Sequence, residues 1–130
     1  MFTITVRDRF TSFLRLAPPD KFDGYDIYHN YAIEVAVSGA AVDEQGYLLN
    51  IDDLSENLSD LVSDWDGSLL NDFDEFADVN PTLELVARIA CEILAETLED
   101  EGLNEIRVTV WESEIDPAPG PSASYRMDLE

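Results

Sequence analysis

The chain is short of positive charge. Lysine and arginine together number seven, against 29 aspartates and glutamates, for a formal net charge of −22. Lys21 is the only lysine. Without a basic stripe to receive phosphates, binding to nucleic acid is excluded as a main activity. Cysteine is as scarce: Cys91 stands alone, which rules out an internal disulfide framework and fits a reducing compartment. Histidine is represented by His29 only. No stretch approaches the 18 or so apolar residues of a membrane helix, so no membrane partner is expected. Residues 2–7 are too short and too alternating to read as a signal peptide.

What is present is a core. The chain is 45% hydrophobic, which sets it apart from disordered acidic tails, and 130 residues make a single domain, 1–130. Its carboxylates run from Asp8 to Glu130 rather than in one block. Like charges repel and oppose compaction. In molar salt the Debye length falls to about 3 Å and that repulsion is screened. The composition therefore reads as halophilic, of archaeal origin and cytoplasmic, with an unusually acidic mesophile as the alternative.

Phe2, Ile4 and Val6 alternate with polar residues, as on a half-buried strand, and residues 10–16 read as its second arm. Ala17-Pro18-Pro19-Asp20 breaks the pattern. A second strand is expected from Tyr31, with Ile33, Val35 and Val37 on the same side, ending at Gly39. Leu54, Leu58, Leu61, Val62 and Trp65 form a helical stripe, with Asp52 and Asp53 in the first turn where the dipole favours anions. An irregular acidic loop should fill 66–79. Asn80 is expected to cap a second helix with Pro81 in its first turn and Gly102 beyond its end. Ile106, Val108 and Val110 mark a third strand, and residues 125–129 a fourth, beyond the proline-rich loop 117–121. The expected class is α+β: a four-stranded antiparallel sheet with two helices packed on one face.

Several short motifs carry a resemblance. His29-Asn30-Tyr31-Ala32-Ile33-Glu34-Val35 resembles the second half of the HGHNYxxxV motif of the 6-pyruvoyl-tetrahydropterin synthase family, which includes 6-carboxy-tetrahydropterin synthases. Residues 46–54 resemble its G-x-x-x-D-F-x-x-L stretch, and Asp66 with Leu70-Asn71 its L-D-H-x-x-L-N. Asn80-Pro81-Thr82-Leu83-Glu84 matches N-P-T-x-E, and 108–113 resembles V-x-V-x-E-T. The resemblance implies the tunnelling fold, in which subunits join their sheets into a barrel. A homo-oligomer built from trimers is therefore expected.

It also implies a zinc site of three histidines, which this chain does not supply. Leu14 and Ile27 stand at two of the positions and only His29 remains. Zinc is therefore not expected as a cofactor, although Asp23 and Asp26 are nearby carboxylates. Read without the resemblance, His29 is a strand-end residue with a structural hydrogen bond. The family's cysteine base would fall within 22–26, where there is no cysteine, and Cys91 reads as a small core residue. Asp66 matches the aspartate of the proton relay, but Gly67 stands in place of its histidine. What remains is the ring-reading set: Glu112, Thr82 and Glu84. A carboxylate accepts well from two adjacent N–H groups of a pterin or purine-like edge, while Thr82 or Glu84 could equally serve a helix N-terminus.

The expected function is a zinc-free member of the family, non-catalytic or repurposed, with a ring pocket. One alternative is an active lyase on a triphosphate-bearing pterin substrate, which would need cations such as Arg15 and Lys21 near Glu112. The other is a structural or regulatory subunit. The charge reading has its own test. The melting temperature should rise as KCl goes from about 0.2 to about 3 M, as screening tightens; a flat response would remove the salt-adaptation reading.

Overall fold

The computed structural model describes residues 1–21, 24–112 and 120–129. Strands β1 (Phe2–Arg15) and β2 (Asp26–Gly39) pair antiparallel over their full length, from Phe2 opposite Gly39 to Arg15 opposite Asp26. β3 (Leu103–Glu112) pairs with β2, and β4 (Ser122–Asp128) with β3, so sheet order follows chain order. Helices α1 (Ile51–Trp65) and α2 (Leu83–Glu96) both lie in the connection from β2 to β3. α1 rests on β1 and α2 on β3 and β4. The α+β architecture is the expected one. Among the described residues no helix is long and apolar enough to cross a membrane.

The core follows from alternation on the strands and the stripes of the helices. Tyr31, Ile33, Val35 and Val37 of β2 are buried with Ile106, Val108 and Val110 of β3. Leu54, Leu58, Leu61, Val62 and Trp65 of α1 meet them, as the spacing predicts. α2 buries Val86, Ala87, Ile89, Ala90, Cys91 and Leu94. Phe10 stacks on Tyr31 at 4.9 Å and meets Trp65 edge-on at 5.7 Å. Gly39 is needed where β2 ends, because a Cβ there would lie 2.6 Å from Leu48 Cδ1 and 2.9 Å from the Gly102 carbonyl.

Several boundaries differ from the sequence pattern. β1 is one unbroken strand rather than two arms, and β2 begins five residues before Tyr31 at Asp26. β4 starts at Ser122, ahead of the expected Tyr125. The loop after α1 contains two short 3-10 turns, Leu70–Asp72 and Asp74–Phe76. The cap of α2 is Thr82, whose hydroxyl accepts from the Leu85 amide at 3.3 Å, not Asn80. α2 ends at Glu96, well before Gly102, which instead leads into β3 with a φ of 81°. Phe22, Asp23, Ser113 and most of the proline-rich loop lie outside the described residues.

Asn80 fails as a cap because its side chain serves β1. The free edge of that strand presents an amide at every second residue. Thr11 N donates to Asp66 Oδ1 (2.8 Å), Phe13 N to the Ser68 carbonyl (2.9 Å), Arg15 N to Asn71 Oδ1 (2.8 Å) and Ala17 N, just past the strand, to Asn80 Oδ1 (2.9 Å). Asn71 returns a bond from Nδ2 to the Arg15 carbonyl at 3.0 Å. Buried Ser12 donates to the Trp65 carbonyl at 2.6 Å. The acidic loop thus acts as a partial fifth strand. Asn71→Ala removes two backbone partners at once and should destabilise by about 1–3 kcal/mol, read as a lower urea midpoint at unchanged slope. A midpoint within error of the parent would show that water replaces both bonds.

Candidate functional site

The register of β1, β2 and β3 gathers the candidate residues on the helix-covered face. Tyr31 stands directly opposite Glu112. His29 is two residues along β2, on the same face, and faces Ser12 of β1. Two further residues along, Ile27 faces Leu14. Glu112, His29, Ile27 and Leu14 therefore form one strip at the end of the sheet.

The polar heads of the strip remain open while its flank is packed. The side chains of Glu112 and His29 are 33% and 22% exposed, so both are accessible to a ligand. His29 Nε2 lies 4.0 Å from Glu112 Oε1, within charge contact but beyond a hydrogen bond. The Nδ1 atom of His29 is buried without a hydrogen-bond partner among the described residues. Its ring meets Tyr31 edge-on at 5.9 Å. Tyr31 is almost wholly buried, and that burial, reinforced by the Glu112 carboxylate, pushes its phenol far above the ordinary range. It stays protonated and can only donate or accept as a neutral hydroxyl. The Glu112 amide donates to the Pro121 carbonyl at 3.0 Å, which ties the end of β3 to the start of β4.

The other candidates fall out as follows. Thr82 and Glu84 begin α2 at this same end of the sheet, since Asn80 is bonded to Ala17 just beyond β1. Thr82 is half-buried with its hydroxyl engaged by Leu85, and Glu84 is exposed. Asp66 gives one carboxylate oxygen to Thr11 N. Cys91 is fully buried, with its thiol directed at the Ile106 carbonyl at 3.8 Å, and burial pushes the thiol up to about 11. Arg15 projects from the opposite face and binds Asp26 at 2.7 Å, so within one chain it does not approach Glu112. Tyr31 is the site residue that sequence reading placed only in the core. Its signal was the two-residue step from His29, which puts both on one face, but its pairing with Glu112 requires the strand order.

Three imidazoles on this strip would make a metal site, and the residues present do not fit one. Leu14, 2% exposed, and Ile27 offer only carbon. Among the described residues no group of three His, Cys, Asp or Glu side chains is disposed to hold a metal.

Comparison with known proteins gives a consistent picture. A family model described as 6-pyruvoyl tetrahydropterin synthase matches residues 3–119. An Archaeoglobus fulgidus protein provisionally assigned as a 6-carboxy-5,6,7,8-tetrahydropterin synthase is 37% identical over 86 residues, which cover 66% of this chain and 67% of that one. The 6-pyruvoyl tetrahydropterin synthase of Plasmodium vivax superposes with a TM-score of 0.78 at 15% identity, over 98% of both chains. That of Caenorhabditis elegans gives 0.75 at 20% identity, over 99% of this chain and 96% of that one. At such identities the structures establish the shared tunnelling fold.

Proposed function

Because this chain belongs to the 6-pyruvoyl tetrahydropterin synthase family, we propose that it is a zinc-free member that binds a pterin or purine-like ring at Glu112 rather than carrying out metal-assisted lyase chemistry. The observation that supports this most directly is the composition of the strip. Glu112 stays open to solvent beside His29, while the places for two further imidazoles are hydrocarbon. A carboxylate with two free lone-pair directions suits the adjacent N–H groups of an amino-oxo heterocycle. Nothing on the strip would acidify a hydroxyl, and Cys91, with its raised thiol and core position, is no base for it. Arg15, committed to Asp26 on the opposite face, argues against a triphosphate-bearing substrate within one chain.

We further propose that the working form is a ring of copies, built from trimers. The acidic loop closes β1 only from Thr11 onward, which leaves residues 2–9 as an open edge; β4 forms the other edge. Open edges of this length demand cover. Four alternating strands bring β4 of one copy against β1 of the next in an antiparallel sense. The face of the sheet away from the helices is suited to the inside of such a ring. Among the described strand residues it carries Arg7, Arg9, Arg15, Arg107 and Arg126, five of the seven basic residues, against four acids, Asp26, Glu34, Glu105 and Asp128. Copies can turn it toward one another without the repulsion the rest of the surface would impose.

Two measurements test this. Protein purified without chelator should hold well under one zinc per chain, unchanged by His29→Ala; stoichiometric zinc that survives dialysis and is lost in that variant would sink the zinc-free reading. In KCl above roughly 1 M, where screening is short-ranged, light scattering should give a multiple of three chains. Calorimetry on the same sample should show guanine or pterin binding that Glu112→Gln weakens about tenfold or more. A folded monomer, or equal binding by the variant, would refute the corresponding half of the proposal.

A further inference from the structure

We infer that the site selects a flat amino-oxo heterocycle bearing an apolar substituent, or none, over one bearing a hydroxylated chain; this rests on the ring-pocket reading above. The strip is laid out in rows along β2. Glu112 with Tyr31 forms the first row, His29 with Ser12 the second, and Ile27 with Leu14 the third. Four residues along β2 separate the first row from the third, a span of roughly 14 Å. A two-ring heterocycle held at Glu112 by its amino edge covers the first two rows. Whatever hangs from its far ring meets the third.

β3 ends its pairing at the Tyr31 row. Among the described residues the second and third rows are flanked by β1 alone, and the partly exposed side chains of Glu112, His29 and Ile27 offer a continuous line to a ligand. In the second row Ser12 is wholly buried, with its hydroxyl committed to the Trp65 carbonyl, so it cannot turn to a ligand. His29, its side chain 22% exposed and its Nε2 4.0 Å from Glu112 Oε1, is the polar group that row still has to offer; its Nδ1 is buried, without a partner among the described residues. The third row is hydrocarbon. Leu14 is packed into the core, and Ile27 lies over that core with part of its surface open.

A hydroxyl pressed against the open surface of Ile27 gives up water and finds no donor or acceptor among the described residues. Each such loss weakens binding roughly tenfold. A methyl group at the same point loses nothing and hides apolar surface. The discrimination is bounded, since a purely apolar wall rejects an added hydroxyl by about a hundredfold at most. Ile27, backed by Leu14, is thus the selectivity wall of the ring site.

Titration calorimetry in about 2 M KCl with 6-methylpterin, guanine and neopterin tests the inference. 6-Methylpterin is expected to bind about tenfold or more tightly than neopterin. Ile27→Thr keeps the β-branched shape and adds a hydroxyl; it should narrow that ratio and leave guanine unchanged. Neopterin binding as tightly as 6-methylpterin overturns the inference while the ring-pocket reading stands. Absence of binding by all three overturns both.

Discussion

The free edge of β1 decides where the rest of the molecule stands. Its outward amides recur at every second residue, and buried or half-covered amides must be paired. The groups that pair them are distributed from Asp66 to Asn80. That spacing draws the whole α1–α2 connection along the strand. α1 has to end beside Thr11, where Gly67 N donates to the Thr11 carbonyl at 2.7 Å, and α2 has to begin just past Ala17. Packing then follows the hydrogen bonds. Trp65, at the end of α1, is held between Phe10 and Phe76 at 5.7 and 5.4 Å. The start of α2, with Thr82 and Glu84, is delivered to the end of the sheet where Glu112 sits. Three of the motif positions, Asp66, Asn71 and Asn80, are thereby accounted for by their work on the backbone. The same closure stops at Thr11, so the fold leaves one half of an edge sealed and the other half exposed.

Much of this was legible in the sequence, for reasons that differ by element. The stripes of α1 and α2 and the alternation of β2 are periodic, and burial follows period closely; every residue assigned to the α1 stripe is buried. β1 was harder. Asp8 stands among apolar residues on the covered face and folds its carboxylate onto the Arg9 amide at 2.7 Å, which interrupts the pattern without interrupting the strand. At α2, Asn80 and Thr82 carry equally good capping chemistry, and only the demand of Ala17 N for an acceptor decides between them. Glu112 and His29 were readable as candidates; their approach to each other and to Tyr31 was not, because it depends on which strands are adjacent. The gathering of arginines on the uncovered face was invisible for the same reason. Those five residues are scattered from position 7 to 126 and meet only through register.

The two apolar residues of the strip, Leu14 and Ile27, are also a matched pair. They stand directly opposite each other across β1 and β2. Buried imidazoles are tolerable when a metal engages their ring nitrogens and a second shell fixes the rest. Without the metal, each buried ring leaves a polar atom unsatisfied, at about 1–3 kcal/mol apiece. A leucine and an isoleucine in those places remove both liabilities and add apolar burial. Among the described residues one orphan is retained, His29 Nδ1. Its ring is the one that also approaches Glu112, so it stands at the junction between the packed wall and the open carboxylate. A three-imidazole site on this strip would need histidine at both places together. Either histidine alone would place a polar ring opposite hydrocarbon, at a position that at Leu14 is 2% exposed, with too few ligands to hold an ion. A single histidine at either place therefore costs stability without supplying a site.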